Sequence, residues 1–440
     1  MAAQAAPARR APEGTRAVWL QRALLAAVIG GPLLFQIEMV RRLGVNMLIW
    51  DEFYYAPFVH LVRTGGDWSH WILLQHNEHR MVPMKFVLAA VATWTPWNVV
   101  TEMYVSVAVV GLTLWGLWGI YRAATGRGAL AFLPVALLLC SPAQYFNMLI
   151  GMQIVFYFTV LGMVWSCNLL RKNSLGGTLQ AAGWAWFATF STATGFVAWP
   201  VGLLQLIAMR AGRARILSWC GAALACALLY FRGYANPPLE APPGFVGVPS
   251  FVRFFLAVLG GPLGGADVAW TMWVGVVVAL AAVGWLVFDL RRDGLRRPER
   301  AAIYALLLMG VSSAVLVTIG RANFGIDFAR ESRYVTFTQL AFVALYLLAV
   351  GSPVPRAVAG VHCALLAAGL YAVFPYGIDQ GRVWRGIQQQ RRAHLLTYET
   401  QPASALRDVY TSWQLAHYAP YLKHEKLGPF ADADAPAIER

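Results

Sequence analysis

Runs of about 20 apolar residues recur along this chain, each long enough to cross roughly 30 Å of hydrocarbon. In lipid only a helix or a closed barrel satisfies its own backbone, and a barrel would need short alternating segments that are missing here. The sequence therefore predicts an all-α polytopic membrane protein with about eleven transmembrane helices. They fall near 17–37, 101–121, 129–148, 153–170, 178–193, 196–210, 215–232, 268–290, 301–320, 334–351 and 357–375. Charged residues make up only 13% of the 440, about half the roughly 25% of a soluble domain.

The formal charge of +14 raises the question of a nucleic-acid partner, and its distribution excludes one. The basic residues bracket apolar spans: Arg122 to Arg127, Arg171-Lys172, Arg210 to Arg215, Arg291 to Arg300, and Arg356. With Arg9, Arg10 and Arg16 holding the N-terminus inside, eleven crossings put all these loops on the cytoplasmic face. The tail from Tyr376 then lies on the opposite, outer face. Arg41 and Arg42 dissent, at the outer end of the first span. No small-residue cleavage site precedes Asp51, so the first run reads as a retained span rather than a signal peptide. Cys140, Cys167, Cys220, Cys226 and Cys363 fall inside spans without metal-ligand spacing and read as small core residues.

Residues 82–98 are apolar but short. A crossing there would invert every basic loop downstream, so Val82 to Trp97 is expected as an interfacial helix with Trp94 and Trp97 at headgroup level. The chain divides into a membrane domain, 1–375, and a short helical tail, 376–440. Two outer loops, 43–100 and 233–266, belong to the first. Interfacial helices are expected over Arg382 to Tyr398 and Ala403 to Leu422, and an apolar helix around Ser250 to Leu259. Four prolines between Asn236 and Pro243 predict an irregular loop.

Ionisable groups at a membrane edge are functional candidates, because burying them costs several kcal/mol unless something compensates. Asp51 and Glu52 are adjacent, so on a helix they point about 100° apart and only one can face a cavity. Either serves as a general base taking a proton from an acceptor hydroxyl, or Asp51 caps the helix that follows. His76, Glu78, His79, Arg80 and Lys85 form a second group. The zincin pattern needs histidines at i and i+4, which this spacing lacks, so substrate contact or a solvated loop is left, with Arg80 or Lys85 meeting phosphate. Arg321, Arg330 and Arg333 lie on the outer face against the charge rule. They suit a phosphate whose leaving charge needs neutralising, or ion pairs with Asp327 and Glu331. Gln144, Asn147 and Gln153 offer hydrogen bonds to a sugar or to backbone ends, Thr192 to Gly195 breaks two short spans, and His362 reads as structural.

Asp51-Glu52-Phe53-Tyr54-Tyr55-Ala56 resembles the Asp-Glu…Tyr-Ala motif in the first outer loop of GT-C membrane glycosyltransferases, the superfamily of protein O-mannosyltransferases and the lipid A aminoarabinose transferase. Val82-Pro83-Met84-Lys85 is similar to that superfamily's lysine beside prolines, and Arg333-Tyr334 to its outer arginine before a late span. The resemblance implies an inverting transfer from a polyprenyl-phosphate sugar to a glycan, lipid or protein of the cell envelope, on the periplasmic side of a bacterial inner membrane. It implies Asp51 as the base, with Glu52 beside it as the other candidate carboxylate. It also implies Lys85, Arg330 or Arg333 at the donor phosphate, with Arg80 and Arg321 as further candidates by their charge. Tyr55, His76, Glu78, His79, Gln144, Asn147 and Tyr334 remain as sugar or acceptor contacts. Many relatives carry a further acidic residue in the second outer loop, where this chain has Ser141 to Asn147. The expectation is accordingly that no metal or other cofactor is required. The competing reading, a flippase of lipid-linked glycan, predicts midplane charges and repeat symmetry that the sequence lacks.

Overall fold

The computed structural model describes residues 13–236, 246–292, 294–410 and 412–431. The proline-rich stretch and Arg9 and Arg10 lie outside the described residues. Helices are named in chain order: α1 Glu13–Leu43, α2 Ala56–Thr64, α3 Val82–Trp94, α4 Val99–Thr125, α5 Leu133–Leu139, α6 Tyr145–Met148 and α7 Ile154–Leu170. There follow α8 Leu175–Ser191, α9 Ala198–Ala208, α10 Arg213–Phe231, α11 Val248–Gly264, α12 Val268–Leu290, α13 Pro298–Arg321 and α14 Val335–Gly351. The tail holds α15 Arg356–Leu396, α16 Ala403–Arg407 and α17 Ser412–His424. No strand forms among the described residues.

Among the described residues 9 helical segments are long and apolar enough to cross a membrane. The two further expected spans are helical but shorter, α8 at 17 residues and α9 at 11 behind the 3-10 turn Ala193–Val197. α7 and α14 are almost wholly interior, whereas α1, α10, α12 and α15 expose most of their apolar surface, as lipid-facing helices do. The chain is a multi-pass membrane protein.

Without a hydrophobic drive between helices in lipid, close backbone approach does the packing. A Cβ on Gly260 of α11 would meet Thr271 O at 1.9 Å, and one on Gly275 of α12 would meet Leu256 O at 2.0 Å, so this pair tolerates only glycine.

The basic loops share one end of the bundle. Arg215 donates to Leu170 O at 2.9 Å and to Asn173, while a Cβ on Gly351 would lie 3.1 Å from Ala124 O. At the same end Arg300 Nη2 donates to both oxygens of buried Asp289, at 2.8 and 2.7 Å, and Tyr304 OH adds a third bond at 2.7 Å. The loops 44–98, 141–153, 192–197 and 321–334 gather at the other end.

Two expectations need correction. Trp97 is buried in the core rather than at a headgroup surface, while Trp94 is 83% exposed at the end of α3. No separate helix starts near Arg382, because α15 runs unbroken for 41 residues through Pro375. Its end folds back with the tail onto the first loop: Gly428 N–H donates to Pro96 O, Asn46 Nδ2 to Gly428 O, and Tyr410 stacks on Phe53 at 5.1 Å.

Candidate active site

Residues Trp50–Tyr55 form a 3-10 turn after an extended entry, with Trp50 held at φ 43°. The turn divides the acidic pair. Glu52 points inward, accepting from Ile49 N–H at 2.7 Å and Met152 N–H at 3.0 Å. Burial pushes its carboxyl up to about 7, against the pull of those two N–H donors. Glu52 is thus the carboxylate that ties the first loop to the start of α7, and Asp51 is the one of the pair that lines the cavity. Asp51 lies on the wall of a cavity of about 520 Å³, its side chain 46% exposed.

The segment 75–80 is a tight turn rather than a helix. His76 and His79 exchange both backbone bonds, at 2.8 and 2.9 Å, around Asn77 at φ 48°. The turn presents Glu78 and His79 to the cavity. His79 Nδ1 accepts from Ala193 N–H at 3.1 Å, so a neutral ring carries its proton on Nε2. Burial keeps His79 below its ordinary value, against the pull of Glu78. Burial acts to raise Glu78, but His79 and Arg321, whose Nη2 lies 2.8 Å from Glu78 Oε1, hold it below the usual carboxylate range.

Arg321 at the end of α13, and Arg333 and Tyr334 at the entry to α14, complete the polar wall. Arg333 Nε has no hydrogen-bond partner, its nearest carboxylate being Glu331 at 3.9 Å, and its guanidinium lies over the Phe328 and Tyr334 rings at 5.2 and 5.4 Å. Tyr334 OH and Gln153 Oε1 are buried without a protein partner. Ile150, Val155, Phe156, Phe196, Val317 and Phe337 form the apolar walls.

The structure brings together Asp51, Glu78, His79, Arg321, Arg333 and Tyr334, and sends the other expected residues elsewhere. Arg80 donates to Tyr230 O, Leu73 O and Arg232 O, and Lys85 Nζ to Leu74 O and Arg80 O at 2.7 and 2.8 Å. Lys85 therefore satisfies carbonyls of the first loop, and Arg80 bridges that loop to carbonyls at the end of α10, and neither lines the cavity. Burial, then nearby Arg80, push Lys85 down to about 7. Arg330 turns away to Ala266 O and to Asp327 at 3.1 Å. Tyr55 is buried with its OH 3.6 Å from Met81 Sδ, and His76 sits behind Asp51 instead of on the wall. Gln144 and Asn147 are also buried: Asn147 Nδ2 donates to Arg333 O at 2.9 Å and to Thr336 Oγ1, which donates to Gln144 Oε1 at 2.7 Å. They hold the Arg333 backbone rather than a sugar. Gln153 had only a weak signal, one amide at the mouth of an apolar span. Thr194 and Asn77 also line the wall; the break at Thr192 to Gly195 marks the first in the sequence, and the polar run Gln75 to Arg80 the second.

Divalent metals in such sites need converging ligands, and among the described residues no three His, Cys, Asp or Glu side chains form such a group.

No known family pattern and no curated protein sequence matches the chain. Solved structures do. The oligosaccharyltransferase of Archaeoglobus fulgidus in its apo form aligns with a TM-score of 0.51 at 10% identity, over 88% of this chain and 59% of that one. The same enzyme tethered to an acceptor peptide containing the NVT sequon aligns with a TM-score of 0.50 at 12% identity, over 90% and 59%. At these identities the likeness is one of fold alone. The chain spans about 59% of the length of the enzyme it resembles.

Proposed function

We propose that this protein is an inverting glycosyltransferase that takes a sugar from a polyprenyl-phosphate donor, on the periplasmic side of a bacterial inner membrane. Its N-terminus is cytoplasmic and its tail periplasmic in this reading. One observation carries it: within a GT-C-like fold, a half-exposed carboxylate, Asp51, and two guanidinium groups, Arg321 and Arg333, line the same cavity. Asp51 takes the proton of the acceptor hydroxyl while that oxygen bonds the anomeric carbon from the face opposite the phosphate. The carbon–phosphate-oxygen bond breaks with its electron pair, and configuration inverts. Arg333, with Arg321 beside it, meets the charge that grows on the departing phosphate, which is where preorganised cations lower a barrier most.

The charges favour a single phosphate over a diphosphate. Glu78 already pairs with Arg321, so Arg333 is the cation with an open edge, suited to one diester charge. Tyr334 OH, the Gln153 amide and the His79 ring offer donors and acceptors for sugar hydroxyls. Leu316 and Ile319 carry the apolar wall out to the bundle's exposed surface, where a prenyl chain lies among membrane lipids. No step is routed through a metal. The Archaeoglobus enzyme was solved with an acceptor peptide; here the acceptor is a hydroxyl of an envelope glycan, lipid or protein.

The reading is tested with purified protein, synthetic polyprenyl-phosphate sugars and a panel of envelope acceptors, followed by mass spectrometry. A new glycoside of inverted configuration is expected. Movement of the intact lipid-linked sugar across liposomes with no new glycosidic bond would overturn it.

A further inference from the structure

The two oxygens of Asp51 have different surroundings. Oδ2 lies 3.1 Å from His76 Nε2, and the His76 side chain is 7% exposed against 46% for Asp51. The His76 ring is fixed by its neighbours, lying along Tyr55 at 5.5 Å and 29° and meeting Tyr54 edge-on at 5.2 Å and 61°. Its backbone is fixed as well, by the two bonds exchanged with His79. Nε2 is buried and makes no aligned hydrogen bond, so a modest turn of the carboxylate toward it completes the bond. Catalytic bonds are often loose in this way before substrate arrives.

We propose that His76 is a positioning residue: its Nε2–H holds Asp51 Oδ2, leaving the other oxygen to receive the acceptor proton. This inference rests on the glycosyl-transfer reading. In the transfer, the acceptor O–H bond breaks, the proton goes to the free Asp51 oxygen, and His76 keeps its own proton throughout. A donor to the carboxylate stabilises its charged form and fixes its plane, as in catalytic dyads generally. The other titratable groups around the pair are occupied or uncharged: Glu52 by two backbone N–H groups, Tyr54 and Tyr55 as phenols, and His79 by Ala193 N–H on its Nδ1. On the cavity side Glu78 is paired with Arg321. From the tail, Arg391 lies over the Trp50 ring at 5.9 Å.

The test compares wild type with His76→Phe, which keeps the ring packing and removes Nε2, and with His76→Gln, which restores a donor. Infrared titration of the Asp51 carboxyl, identified by its loss in Asp51→Asn, reads the contact without turnover. Removing the donor should raise the proton affinity of Asp51 about tenfold in His76→Phe, one pH unit, with His76→Gln close to wild type. In transfer assays kcat should fall about tenfold or more in His76→Phe. Donor KM should stay within about twofold, and the acid limb of the pH profile should move up by the same unit. An unchanged Asp51 titration in folded His76→Phe, or an unchanged kcat and acid limb, would overturn the proposal. A shifted titration in a protein whose wild type makes no glycoside would leave the pairing standing and remove the transfer reading.

Discussion

Two carboxylate–arginine sets sit at opposite ends of the same helix bundle, and they differ in what they leave open. Asp289 and Arg300 are buried together, and a tyrosine hydroxyl adds a third bond to Asp289. Asp51 and Arg333 share a cavity wall without closing on one another, and Arg333 Nε meets no acceptor. The buried pair saturates its carboxylate and fixes the joint between α12 and α13; Arg300 Nη1 stays without a partner, but the pair lies off the Asp51 cavity wall and offers a ligand there no contact. Charges kept apart in a half-open cavity retain that capacity. Ion pairs are thus legible as structural or chemical by whether their open groups line a cavity, more than by burial.

The contrast can be broken first at Asp51. Asp51→Asn keeps the shape and loses the base, so kcat should drop by about 10² to 10⁴ with donor affinity retained. Single-turnover transfer beside a donor-binding measurement checks this. At the closed end, Asp289→Ala strands a buried guanidinium and should cost about 3–5 kcal/mol of stability, while activity per folded molecule is preserved. Thermal unfolding in detergent reads it, and replacing both partners by apolar residues should cost less. Next comes Arg333→Met, with a loss of about 10² in kcat and little change in unfolding temperature.

Glu52 sharpens the comparison through pH. Its folded-state pKa, about 7, lies above the ordinary 4.5, so the folded chain binds more protons than the unfolded chain between those values. Stability should therefore fall as pH rises through that window, by about 3 kcal/mol in all. Unfolding midpoints from pH 4.5 to 7 measure the slope, and Glu52→Gln should flatten it. Smallest of all, Arg330→Ala should change transfer less than about twofold, because Arg330 is spent on Ala266 O and Asp327. Initial rates decide it.

Helices and their order were readable because apolar length alone dictates them in lipid. The basic-loop count also anticipated the shared end, since it rests on crossings and not on contacts. Within the site, Asp51, Glu78, His79, Arg321, Arg333 and Tyr334 were visible as polar residues with no reason to be at a greasy edge. Arg80 and Lys85 looked the same in sequence. Their difference lies in which carbonyls the folded loop leaves without donors, a property of three-dimensional closure. The His-x-x-His spacing tests for a metal site only on a helix, whereas a left-handed Asn77 makes this segment a turn. Trp97 fits a headgroup anchor by its place after a short apolar helix, although it is buried in a corner where the tail packs back on residues 46–96. Unbroken α15 was hidden by Pro375, a residue that ends helices more often than it sits within them.

A cryo-EM structure with a non-transferable polyprenyl-phosphate sugar, its anomeric oxygen replaced by carbon, tests the central claim most directly. The account predicts the phosphate within hydrogen-bonding distance of Arg333 and the anomeric carbon facing Asp51. A phosphate bound at Lys85 and Arg80, with Asp51 remote from the sugar, would contradict it.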